Sequence, residues 1–173
     1  MKKTQALGLA VTLLAIPTLT ASSANAITYT IAGKLETLGT SESNEARSSG
    51  LSAAVHEVTR DESGSFLFVT WSLENSSTDR KVLTWLSGST YIYSGSSFSG
   101  VTITSPETEE KYHPIMDSQG MCLCSGNTSN KIQTGLDPED QVTYWSTYSV
   151  SSEAESITVE IPGFEPIEDV PIS

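Results

Sequence analysis

The sequence predicts an all-β fold, an immunoglobulin-like antiparallel β-sandwich of about seven to nine short strands with little helix. Three observations predict it. Ser and Thr are abundant while good surface helix formers are scarce, and charged residues make up only 17% of the 173. Apolar residues alternate with period two in nearly every segment long enough to carry a period. Clusters of Gly, Pro, Asn, Asp and Ser separate those segments at the spacing of sandwich strands.

The first element lies outside the sandwich. Residues 1–26 read as a Sec-type secretory signal peptide: Lys2 and Lys3 form a short basic start, Ala6 to Ile16 an apolar stretch, and Ser23-Ala24-Asn25-Ala26 a small-residue cleavage pattern. The apolar stretch is too short to span a bilayer and breaks at Pro17. No cysteine stands near the cleavage point, so a lipidated terminus is not expected, and no later stretch is apolar enough for membrane insertion. The expected product begins at Ile27 and is exported to an oxidising compartment, extracellular or at the exterior of the cell envelope. Its domains are expected as a sandwich over 27–161 and an extended, Pro-containing tail over 162–173.

The strands follow in order. Ile27 to Gly33 alternates. Lys34 to Gly50 is polar and reads as a loop with room for one helical turn. Leu51 to Arg60 is a strand, and Asp61 to Gly64 a turn. Ser65 to Asn75 has the clearest pattern, with Leu67, Val69, Trp71 and Leu73 on one face and Phe66, Phe68, Thr70 and Ser72 on the other. Val82 to Leu86 reads as a short strand. Gly88 to Gly100 reads as a Ser/Gly/Tyr-rich loop with a strand fragment at Tyr91 to Tyr93. Val101 to Thr104 and Lys111 to Met116 form a hairpin around the polar tip Ser105 to Glu110. Asp117 to Thr134 is an irregular loop holding both cysteines, and Leu136 to Asp140 a turn. Gln141 to Val150 alternates again, and Ser156 to Ile161 is the last expected strand, with Ile157, Val159 and Ile161 inward. Pro162, Pro166 and Pro171 keep the tail non-helical.

The charge excludes some partners. The formal charge is −12, from 21 acidic against 9 basic residues. Removing the leader takes Lys2 and Lys3 with it, leaving 7 basic residues and a charge of −14. A nucleic-acid binder needs a basic face, so no nucleic-acid partner is expected. The acid is dispersed, as for a solubilised exported surface.

Motifs for catalysis are absent. There is no G-x-S-x-G, no Ser-x-x-Lys, no P-loop, no dinucleotide fingerprint and no H-E-x-x-H. The two histidines fall in different strands: His56 is expected at a surface or rim, and His113, before Pro114, at a sheet edge. The protein is therefore expected not to be an enzyme and to need no cofactor.

Two features remain. Cys122 and Cys124, one residue apart in an exported chain, are expected to form a small intrachain disulfide that stiffens a loop. The alternatives are an easily reduced redox pair, or a Cu(I) site in which His113, Met116, Met121, Cys122 and Cys124 supply soft ligands. Trp71 is expected in the core, whereas Trp85, Tyr91, Tyr93, Phe98 and Trp145 are candidates for an aromatic patch that binds a protein or a cell-envelope glycan.

The C-terminal half carries a resemblance. The order is VTITSPETEEKYHPIMD, then Met121-Cys122-Leu123-Cys124-Ser125, then QVTYWSTYSV, then Ile161-Pro162-Gly163-Phe164 through Asp169-Val170-Pro171-Ile172. Across Phe66 to Ser173 this resembles a β-sandwich domain of exported actinobacterial proteins, in many of which an OmpA-like peptidoglycan-binding domain follows. More distantly it resembles the immunoglobulin-like domains of exported Gram-positive proteins. The resemblance implies a sandwich fold and no activity. The chain ends at Ser173, where the OmpA-like domain would be expected, so peptidoglycan binding is not carried over. The expected function is a secreted, non-catalytic binding or interaction module. The alternatives are a copper-handling or redox protein using the Cys-Leu-Cys loop, and an inhibitor of an extracellular hydrolase presenting that loop or Gly88 to Gly100.

Overall fold

The computed structural model of the protein describes residues 36–88, 92–126 and 132–173. The expected leader and the expected strand over Ile27 to Gly33 lie outside these residues, as does Tyr91. The described residues are nearly all β. They form β1 (Gly39–Glu42), β2 (Leu51–Arg60), β3 (Leu67–Asn75), β4 (Lys81–Val82), β5 (Thr102–Ser105), β6 (Glu110–Tyr112), β7 (Gly135–Leu136), β8 (Gln141–Tyr148), β9 (Ser156–Glu160) and β10 (Ile167–Pro171). Two antiparallel sheets, in the orders β1-β2-β3-β8 and β10-β9-β5-β6, make the sandwich, and β4 pairs with β7 as a small third sheet.

On β3 the core-facing residues are those that alternation predicts. Leu67, Val69, Trp71 and Leu73 of β3 are all 0% exposed, while Phe66 and Phe68 on the other face are 43% and 46% exposed. The second sheet contributes Ile103, Ile157, Val159 and Val170 to the same core. Polar side chains close its ends. The Tyr148 hydroxyl donates to the Val101 carbonyl at 2.9 Å. The Arg60 guanidinium donates to the carbonyls of Gly64, Val150, Ser151 and Ala154.

Five expectations need correction. The polar stretch 34–50, expected as a loop, contains β1, which pairs with β2 from Gly39↔Val55 to Glu42↔Ser52; the helical turn is present as a 3₁₀ turn at Ala46–Ser48. Its strand state comes from that pairing, since nothing in Gly-Thr-Ser-Glu favours a core face. The strand expected over Val82 to Leu86 is confined to Lys81–Val82 and gives way to a 3₁₀ turn at Thr84–Ser87. No strand forms at Ile92–Tyr93, the described part of the fragment expected at Tyr91 to Tyr93. The tail expected after the sandwich contains β10, which pairs with β9 and so belongs to the second sheet.

His56, expected at a surface or rim, is 9% exposed. It is the extra residue of a β-bulge between Val55 and Glu57. Its Nδ1 lies 3.1 Å from the Glu36 carbonyl oxygen and its Nε2 2.7 Å from Ser72 Oγ. A carbonyl only accepts, which places a proton on Nδ1, so in the neutral ring Nε2 accepts from the Ser72 hydroxyl. Gln141 Nε2 donates to the same Ser72 oxygen at 3.1 Å. The cluster places satisfied polar groups on the outer face of the first sheet.

Candidate functional site

Cys122 and Cys124 are joined as a disulfide with their Cα atoms 5.3 Å apart. They are 2% and 0% exposed. Their segment lies along β8: Thr147 N donates to Leu123 O at 3.0 Å, and Ser125 N to Trp145 O at 2.8 Å. A turn from Asp117 to Gly120 brings Met116 against Cys122 as an antiparallel bridge. The loop 92–100 runs beside it, with Ser94 N donating to Gly120 O and Phe98 N to Ser125 O. So the two loops named for an inhibitor surface are one unit. In the bonded state neither sulfur is a thiolate. Among the described residues no group of three His, Cys, Asp or Glu side chains is placed to hold a metal ion. The ring is too small to constrain the unfolded chain strongly, so Cys122→Ser with Cys124→Ser is expected to lower stability by only about 1–2 kcal/mol. Urea unfolding of the variant against the wild type checks this.

The expected aromatic patch is not one surface. Phe98 is a correction: it is 1% exposed, with its ring 4.8 Å from Tyr144 and 6.2 Å from Trp71, because its loop folds back over the core. Burial raises the Tyr144 hydroxyl far above the usual tyrosine range. Trp145, 37% exposed, stands on the outer face of the first sheet. The Tyr93 hydroxyl donates to the Pro114 carbonyl at 2.6 Å. Trp85 lines a cleft.

That cleft has a volume of about 820 Å³. Five segments build it: the turn at Asn44–Arg47, the turn carrying Trp85, the approach to β5, the end of β6 with Lys111 and His113, and the end of β9 running into Pro162–Phe164. Trp85 is half-buried and its orientation is fixed. Its indole N–H donates to Val82 O at 2.8 Å, its ring centroid lies 6.3 Å from that of Phe164, and Arg47 Cζ stands 5.1 Å from the ring. Arg47 is itself paired with Glu45 at 2.6 Å. Across the cleft Lys111 pairs with Glu160 at 2.5 Å, and the Thr102 hydroxyl donates to the same carboxylate at 2.9 Å. Burial, and then the Lys111 charge, hold the His113 imidazole below the usual histidine range, so it is neutral at pH 7.

Glycine makes the cleft possible at two points. Gly163 has φ +81°, and a Cβ there would stand 3.0 Å from Ser48 Oγ and 3.2 Å from Trp85 Cζ3. Its carbonyl accepts from Ser48 Oγ at 2.5 Å and from Asn44 N at 2.9 Å, docking the turn after β9 onto the 3₁₀ turn. Gly100 lets its backbone cross that of Gly88, since a Cβ would lie 2.6 Å from both Gly88 N and Leu86 O. Gly163→Ala is expected to destabilise by about 1–3 kcal/mol and to change the Trp85 fluorescence. An unshifted spectrum at wild-type stability would contradict this.

Arg47, Glu45, Lys111 and Glu160 were not marked by the sequence. Charged side chains scattered along a chain have no spacing signal.

Comparison with known proteins adds little. No family model and no curated protein matches the chain. A solved structure of a conserved hypothetical protein from Bacillus anthracis is similar at 14% identity, covering 75% of this chain and 92% of that one with a TM-score of 0.42. At that level nothing is carried from it to this chain.

Proposed function

We propose that this chain is an exported, non-catalytic binding module of the bacterial envelope or exterior, and that the Trp85 cleft is its binding site. The convergence of five separate segments on one orientationally fixed indole carries the reading. Aromatic faces with a few converging polar groups are the usual make-up of a ligand site. The cleft carboxylates Glu45 and Glu160 are each tied to a cation, which suits holding a ligand rather than moving its protons. Both ion pairs are substantially exposed and add little to folding. Export rests on the leader pattern of residues 1–26, and membership of the actinobacterial domain family on the Cys-x-Cys-Ser and Ile-Pro-Gly-Phe pieces.

The test has two parts. Protein recovered from the medium of a bacterial host is expected to begin at Ile27; a full-length cytoplasmic product overturns export. Envelope fractions are expected to retain the wild type, release the bound material unaltered, and retain Trp85→Ala poorly. Equal retention of both proteins overturns the site.

The placement of Met116 against Cys122 favours a second reading, copper handling by the reduced loop with Met116, Met121, Cys122 and Cys124 as the ligands. His113, the fifth residue of that set, lines the Trp85 cleft. An intact mass two protons below the reduced value, unchanged by Cu(I) under mild reductant, would sink it.

A further inference from the structure

Resting on the reading of the Trp85 cleft as the binding site, we propose that its ligand is a neutral glycan, with one sugar ring set against Trp85 and its hydroxyls held between the Arg47–Glu45 and Lys111–Glu160 pairs.

Charge comes first. The chain as a whole is strongly acidic, at −12. The cleft is not: Arg47 answers Glu45, Lys111 answers Glu160, and the depressed His113 is neutral. An anionic polymer would meet the repulsion of the whole molecule and find no surplus cation in the cleft. A cationic ligand would find both cleft carboxylates already paired. A ligand without charge loses nothing to either effect.

Hydrogen-bond chemistry comes second. Each pair sets an acceptor-only carboxylate beside a donor-only cation. Adjacent hydroxyls, each able to donate and to accept, satisfy such a pair together. Thr102 adds a hydroxyl already bonded to Glu160. The pairs are exposed enough to exchange water for ligand without unfolding anything, since the side chains of Arg47 and Glu45 are each 47% exposed.

The aromatic group comes third. The Trp85 N–H is spent on Val82 O and Arg47 stands over the ring, so the half-buried indole offers the ligand only the ring surface that Arg47 leaves uncovered, and no donor. A pyranose matches this, having an apolar C–H face and polar edges. A peptide matches it less well. Peptide grooves take side chains into apolar pockets, and here the apolar residues Ile161 and Phe164 are 2% and 4% exposed, consumed by the core.

The test is calorimetric titration of the exported protein with soluble neutral oligosaccharides (chito-, cello-, xylo- and manno-series). Parallel arms use an anionic polysaccharide and a muramyl-type stem peptide. One neutral series is expected to bind saturably, with an affinity little altered by added salt. Trp85→Ala is expected to weaken it roughly tenfold or more. Trp85→Phe, which keeps a ring, is expected to retain part of the affinity and guards against misfolding of the alanine variant. Trp145→Ala is expected to bind as the wild type does. Binding confined to the anionic or peptide arm, or to no arm at millimolar concentration, overturns the neutral-glycan assignment. If that other ligand, or an envelope fraction, is still lost on Trp85→Ala, the cleft itself stands. Binding of any ligand that Trp85→Ala leaves unchanged overturns the cleft as well.

Discussion

Trp71→Ala is expected to lower the folding free energy by about 3–5 kcal/mol, the range for deleting a large aromatic from a packed core. Trp71 is 0% exposed at the centre of β3. Its ring centroid lies 4.8 Å from Tyr144 and 6.2 Å from Phe98, so one deletion loosens two further rings. Its indole N–H also donates to Ser146 Oγ at 3.3 Å, and Ser146 is itself 0% exposed. Losing the donor leaves that hydroxyl short of a partner inside the core. Urea unfolding should show a lower midpoint at unchanged slope. For comparison, Trp145→Ala removes a tryptophan from the open face of the sheet, and should cost no more than about 1 kcal/mol. Equal losses at the two sites would contradict the layering described above.

Asn75→Asp is expected to cost about 3 kcal/mol although it changes a single group from NH₂ to O. Asn75 is 0% exposed at the end of β3. Its Nδ2 donates to the carbonyls of Asp79 and Leu136 at 2.9 and 3.0 Å. Its Oδ1 accepts from Ser77 N and Ser77 Oγ at 3.0 and 2.6 Å. The side chain thereby ties the turn after β3 to β7. An aspartate would face two carbonyl oxygens with an acceptor, buried and without compensation. Asn75→Ala serves as the control, since it removes the bonds without adding a charge and should lose less. The aspartate variant should also regain stability as pH falls and its carboxyl protonates. A flat profile would contradict the assignment of Nδ2 as the donor.

Much of the fold was legible because a strand has period two and one buried face. β3, β8 and β9 sit where alternation put them, and the four inward residues of β3 are the four expected. Legibility failed where the period is broken. In β2 the inward residues are Leu51, Ala53 and Val55, but then Val58, because His56 is bulged. In β10 the inward Ile167 and Val170 are also three apart, with Asp169 at φ +53° and a register shift between them. A spacing of three between apolar residues in an otherwise extended segment is the trace such a bulge leaves. β1 left no trace, since an edge strand made of Gly, Thr, Ser and Glu is held by its partner's backbone.

By itself the sequence determined the fold class and the inward faces of the main strands, because each depends on a strictly local period; it left the state of Cys122 and Cys124 open among a disulfide, a redox pair and a metal site. Tertiary structure alone decided the site. Trp85 is one of several aromatics in the sequence, and what distinguishes it is Arg47, Lys111, Glu160 and Gly163, brought to it from three other segments. Phe98, equal to it on sequence grounds, was withdrawn into the core by the course of its loop. Local periodicity says which way a side chain points from its strand. Which distant residues it meets depends on how the sheets are layered and their ends closed, a property of the whole chain.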